Sequence, residues 1–141
     1  MTGYNVVLVP QNQIREAWRY AKPHLQAAVD LSHGRWQSDY VLASLVMGEQ
    51  NLWIAMSPEG LIDGAVTSQI AKYPEKTMLA IHFLGGNHFD DWYPQLLAVM
   101  TRFAKDSGCN GIECLARKGF WKWFQHDGFE ITSVFYEKEV T

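Results

Sequence analysis

The sequence predicts an α+β domain, a three-layer αβα sandwich in which helices cover both faces of a mostly antiparallel, mixed sheet. Three observations predict it. Apolar residues recur at three- and four-residue spacing in blocks near both ends of the chain. Between residues 52 and 84 the period falls to two and then to a nearly unbroken apolar run. Gly, Pro and Asn clusters punctuate the blocks. The resulting order is strand, helices, three strands, helix, strand, helix, strand, which places helices on both sides of one sheet.

Residues 5–9 read as a first strand closed by Pro10. Asn12 is the expected cap of a helix carrying Ile14, Ala17, Trp18 and Ala21, which Pro23 should interrupt before a second piece through Leu25, Ala28, Val29 and Leu31. Ser38 or Asp39 caps the next helix, with Val41, Leu42, Leu45 and Val46 inward. Strands follow at 52–56 and 61–73, divided by the turn Ser57-Pro58-Glu59-Gly60. Residues 77–84 are apolar almost throughout, the pattern of a central strand covered on both faces. Simple alternation puts Leu79, Ile81 and Phe83 on one face and Met78 and Ala80 on the other. Gly85-Gly86-Asn87 breaks the strand. Asp90 or Asp91 caps a long helix with Trp92, Leu96, Val99, Met100 and Phe103 inward, Pro94 tolerated in its first turn and Gly108 as left-handed stop. A strand at 111–115, a short aromatic helix at 119–127 and a last strand at 129–137 complete the reading.

Composition narrows the possible functions. The chain has 141 residues, the usual size of one domain, read here as a single unit over 1–141. A chain of this length buries about 68–70% of its unfolded surface, so it needs no metal or disulfide staple. A net charge of −3 gives no basic footprint for nucleic acid or anionic lipid. No run approaches the ~20 apolar residues of a membrane span, and the start lacks a signal-like stretch. Cys109 and Cys114 then read as free thiols in a reducing, cytoplasmic setting. The 13% aromatic content suits a dense core, a lined cleft or a partner surface.

Three segments carry a family resemblance: Phe83-Leu84-Gly85-Gly86 running into a long helix, Asp106-Ser107-Gly108-Cys109-Asn110-Gly111-Ile112, and Trp123-Phe124-Gln125-His126-Asp127-Gly128-Phe129. Over residues 52–140 the chain resembles the GNAT superfamily of acyl-CoA-dependent N-acyltransferases, and its length and Trp-rich ending are similar to small GNAT-like proteins of tailed phages. The resemblance implies acetyl-CoA as cofactor, with a small-molecule or protein amine acetylated by direct transfer. It implies splayed central strands and a cofactor turn formed by Phe83, Leu84, Gly85, Gly86 and Asn87. A Gly-Gly turn serves an ordinary strand-to-helix connection equally well. The family's phosphate loop (Arg or Gln, two residues, Gly, one residue, Gly or Ala) is absent between Phe83 and Pro94, where His88-Phe89-Asp90-Asp91 stands instead. Phe124 occupies the position of the family's frequent general-acid Tyr, and Arg117 that of its Asn. A second possibility is therefore a non-catalytic binding or assembly module, pairing with a second copy or with phage-particle proteins.

The candidate chemical groups are few. Glu113 alternates with Ile112 and Cys114 on a short strand, where burial would suit a general base, although a solvated Glu at the strand's wet end is the plainer reading. His82 lies on the covered strand and Tyr136 on the last one, as alternative proton carriers; a core histidine with one satisfied nitrogen is the plainer reading of His82, and strand packing that of Tyr136. Arg117 and Lys118 precede a helix start and either hold an anion or form a solvated turn. His88, Asp90 and Asp91 lack an ordered metal-ligand spacing.

Overall fold

The computed structural model describes residues 3–141; Met1 and Thr2, part of the start read above as lacking a signal stretch, lie outside the described residues. The described residues form one sheet whose strands lie side by side in sequence order: Asn5–Leu8 (β1), Asn51–Met56 (β2), Ile62–Lys72 (β3), Thr77–Gly86 (β4) and Gly111–Cys114 (β5). The first four pair antiparallel, while β5 runs parallel to β4. A parallel pair needs a long crossover. Helix Phe89–Asp106 (α3) supplies it. Helices Ile14–Asp30 (α1) and Ser38–Val46 (α2) connect β1 to β2, and a short helix, Trp121–Phe124 (α4), follows β5.

Alternation along β2 shows how the layers form. Leu52 and Ile54 join a core with Ile14, Trp18, Leu25 and Val29 of α1 and Val41 and Leu45 of α2. Trp53 and Ala55 point the other way, into a core with Trp92, Leu96, Met100 and Ala104 of α3. The three-layer sandwich is thus built as the periods predict. Burial of a Leu-sized side chain contributes roughly 1.5–3 kcal/mol, so the fully enclosed Leu25, Leu45, Leu52 and Leu79 are major anchors of both layers.

Several local expectations change. Helix α1 runs unbroken through Pro23, which sits on its exposed side, flanked by the buried Ala21 and Leu25. Packing of that face offsets a penalty of about 3 kcal/mol. Asn12 lies in a 3-10 turn, Gln11–Gln13, ahead of α1, while Ser38 and Asp39 fall within the first turn of α2 after Gln37. The cap position of α3 is His88, in a left-handed conformation, with Asp90 and Asp91 in the first turn.

Phe83 is the larger correction. The partners step from Thr67↔Phe83 to Ser68↔Ile81, which leaves His82 as an extra residue in β4. Such a bulge reverses the alternation beyond it. Leu79 and Ile81 therefore pack under α3, whereas Phe83 packs under α1. Residues 129–137, expected as a final strand, are not one. Phe129 packs on Phe124 at 4.6 Å, Glu137 pairs with Arg35, and the Arg35 guanidinium lies 5.0 Å over the Phe135 ring. These contacts hold the segment by its side chains, without a ladder to β5.

Candidate active-site cleft

The central feature of the site is a pair of strands that begin together and end apart. Pairing of β4 with β5 covers Met78↔Gly111 to Ile81↔Cys114 and then stops. β4 continues to Gly86, paired on its other edge with β3. Past Ile81 the β5-facing backbone of β4 therefore has no strand beside it among the described residues. The bulge at His82 falls where the separation begins. Phe83 N–H, displaced from regular pairing, donates to Thr67 Oγ1 at 3.1 Å.

A groove follows this free edge in two sections. The section beside β5, about 750 Å³, is lined by His82, Phe83 and Leu84 on one side and Glu113, Cys114 and Leu115 on the other. Trp36, Arg35 and Phe135 close part of its wall. The section toward α3, about 500 Å³, is lined by Leu84, Gly85 and Gly86, by Phe89, and by Arg117, Phe120, Lys122 and Trp123 from the β5–α4 region. Ala28, Leu84, Arg117 and Phe120 line both, so the sections meet.

Glu113 and His82 are ionisable groups of the β5 section that can take a proton from a substrate. Tyr73 Oη donates to Glu113 Oε2 at 2.6 Å, which fixes the carboxylate. That bond raises the Tyr73 pKa, keeping the phenol a donor. His82 is half-buried, its ring 6.3 Å from Trp36. Desolvation lowers its pKa, against a smaller opposing pull from the Glu113 charge. A histidine so placed is neutral at neutral pH and has a lone pair free for a proton. Burial pushes the Cys114 thiol up to about 12, leaving it an inert wall of the groove.

The glycines are fixed by the fold itself. A Cβ on Gly85 would lie 2.1 Å from the His24 carbonyl oxygen of α1. One on Gly86, whose φ is +144°, would lie 2.3 Å from the Asp63 oxygen of β3. Both glycines nonetheless border the groove, so they serve close helix and strand packing at the same place. Asn87 lines neither section. Its N–H donates to the Asp63 carbonyl and its own carbonyl accepts the Trp92 indole N–H.

Of the residues singled out in the sequence, His82, Phe83, Leu84 and Glu113 meet in the β5 section, and Gly85 and Gly86 border the other. Tyr136 is 88% exposed and lines neither. Arg117 enters both sections, whereas Lys118 enters neither. Asp90, expected as a cap, accepts the Trp123 indole N–H. Trp36 and Lys122, which line the groove, and Tyr73, which touches the site through its bond to Glu113 40 positions away, are placed by the fold and carry no signal in the sequence. No group of three or more His, Cys, Asp or Glu side chains is poised for a metal among the described residues.

A mixed sheet with helices on both sides and splayed parallel strands defines the fold of the GNAT acyl-CoA N-acyltransferases. Solved structures carry the comparison. An aminoglycoside acetyltransferase, meta-AAC0020, from an uncultured soil metagenomic sample, matches over 99% of this chain and 97% of its own, with 15% identity and a TM-score of 0.71. A ribosomal-protein-alanine N-acetyltransferase from Brucella melitensis biovar Abortus 2308 matches over 98% and 99%, with 13% identity and a TM-score of 0.70. AAC(6')-Iy, solved with the bisubstrate analog CoA-S-monomethyl-acetylneamine, matches over 97% and 99%, with 18% identity and a TM-score of 0.68. At these identities the likeness is one of fold. No protein-family model and no curated protein matches the sequence.

Proposed function

We propose that the chain is an N-acetyltransferase that moves an acetyl group from acetyl-CoA to a primary amine. The observation that carries this reading is the β5-facing edge of β4 at 82–86, which has no strand beside it and opens into a groove lined by Glu113 and His82. A strand edge that no neighbour covers, running along a groove, suits a ligand with its own amides, such as the pantetheine arm. Leu84, Gly85 and Gly86 would hold that arm, and the bound cofactor would supply an activated acyl thioester. An amine enters protonated and must lose a proton before it can attack. Glu113 is positioned by Tyr73 to take it, with His82 as the second acceptor on the opposite side of the groove. Phe124, buried on α4, has no proton to return to a leaving thiolate, so a solvent water in the open groove would supply it. The relatives in fold that act on aminoglycosides and on a ribosomal protein's alanine are consistent with an amine acceptor, small or protein-borne.

Calorimetry with acetyl-CoA, coupled to thiol release in the presence of a panel of amines, tests this. Binding in the micromolar range with amine-dependent release of CoA supports the reading. A second reading, a non-catalytic binding or assembly module, draws on Phe124 and on Asp90 and Asp91 in the first turn of α3. Binding without turnover on any amine would favour that reading, and absence of binding at millimolar acetyl-CoA would refute the acetyltransferase.

A further inference from the structure

The α3 section of the groove has an unusual charge balance for this protein. The chain as a whole has more acidic than basic residues, 15 against 12. Yet Arg117 and Lys122 line this section, and no Asp or Glu does. Neither cation has a carboxylate partner among the described residues. Each rests on an aromatic ring instead: Arg117 Cζ lies 5.6 Å over Phe120 and Lys122 Nζ lies 4.3 Å over Trp123. The rings are themselves braced edge-on against Phe89 at the start of α3, at 5.6 and 4.7 Å. One carboxylate touches this wall: Asp90 accepts the Trp123 indole N–H and lines neither section.

Stacked cations keep their N–H groups and full charge for another partner, and lose less freedom on binding than mobile ones. The backbone here offers little alternative. Gly85 and Gly86 are pressed against α1 and β3, and the residues after them carry two aspartates where a glycine-rich loop would present N–H groups. We propose that Arg117 and Lys122 form a diphosphate-binding site, holding with side chains the charged portion of the ligand that the groove accepts. The identity of that ligand as CoA rests on the acetyltransferase reading; the affinity for a diphosphate does not.

Calorimetry on the wild type, Lys122→Gln and the Arg117→Gln/Lys122→Gln pair separates the two ideas, using CoA, pantetheine (which lacks phosphates) and inorganic pyrophosphate as probes. The expected result is CoA binding weakened several-fold by Lys122→Gln and tenfold or more by the pair. Pantetheine binding should be unchanged, and the fall of CoA affinity with salt should be flatter in the pair. Lys122 is exposed, so its single variant guards against misfolding of the pair. Pyrophosphate bound by the wild type and lost in the variants, with no CoA binding, would uphold the diphosphate site and remove the acetyltransferase reading. CoA bound equally by wild type and both variants would overturn the site and leave that reading intact. Binding of neither CoA nor pyrophosphate to the wild type would overturn both.

Discussion

Replacing Gly85 with Ala tests how the groove is built. The new Cβ would stand 2.1 Å from the His24 carbonyl oxygen and 3.2 Å from its carbon. These are backbone atoms in the middle of α1, next to Leu25, which is fully buried, so no side chain can swing aside. Relief requires α1 to lift from β4, disturbing contacts between Leu25, Phe83 and their neighbours. Overpacking of this kind costs about 1–3 kcal/mol, and a backbone clash falls at the upper end. In a domain of this size each kcal/mol lowers Tm by roughly 2–4 °C. The expected drop is therefore about 10 °C, measured by circular dichroism. Gly119→Ala is the control. Gly119 borders the same groove with nothing within 4 Å of its built Cβ, so Tm should hold or rise slightly. A Gly85→Ala variant that melts like wild type would refute the packing of α1 on β4. If it also lost ligand binding, Gly85 would serve the ligand and not the helix.

Glu113→Gln retains the size and acceptor oxygen that Tyr73 uses but removes the base, so any acetyl-transfer rate should fall 10²–10⁴-fold with the melting temperature little changed; an unchanged rate would exclude Glu113. His82 gives a pH signature. Its folded pKa is lowered, so below about 6.5 the unfolded chain binds more protons and stability drains away as pH falls through that value toward the folded one. Denaturant titrations from pH 7.5 to 5 should show a smaller loss in His82→Gln than in wild type. Parallel pH profiles would mean that His82 is not desolvated as described.

The sequence made the layers legible because side-chain period reports burial directly. Ile14, Trp18, Ala21, Leu25 and Val29 announce one helix face, and Trp92, Leu96 and Met100 the other. The unbroken run in β4 likewise announced a strand covered on both sides and flanked by neighbours, which β3 and β5 supply. The bulge at His82 was not legible. It depends on which residue of β3 faces which residue of β4, and both strands read as ordinary ones. Phe83 was misassigned for that reason alone. The terminal segment failed differently. Residues 129–137 have strand-forming side chains, but propensity decides little when Phe129, Phe135 and Glu137 find partners on α4 and the α1–α2 connection.

The groove and the bulge are linked. A regular β4 would keep Phe83 on the α3 side with Ile81, and the α1 core would lose the ring that packs beside Ala65. With the extra residue, β4 turns Phe83 under α1, and the half-buried His82 is left in the groove wall. β5, only four residues long, ends level with the last regular pair. Past that point β4 is held by β3 on one edge and by α1 pressing on Gly85, while its other edge stays open. A site needs free polar backbone on a fixed support. Here the support comes from the two glycine contacts, and the free backbone from the shortness of β5. Lengthening β5 by pairing residues 115–116 against β4 would close the groove while leaving both cores unchanged. The open edge is therefore a property of where β5 stops, and the cations on Arg117 and Lys122 sit just beyond that stop because the chain must turn there into α4.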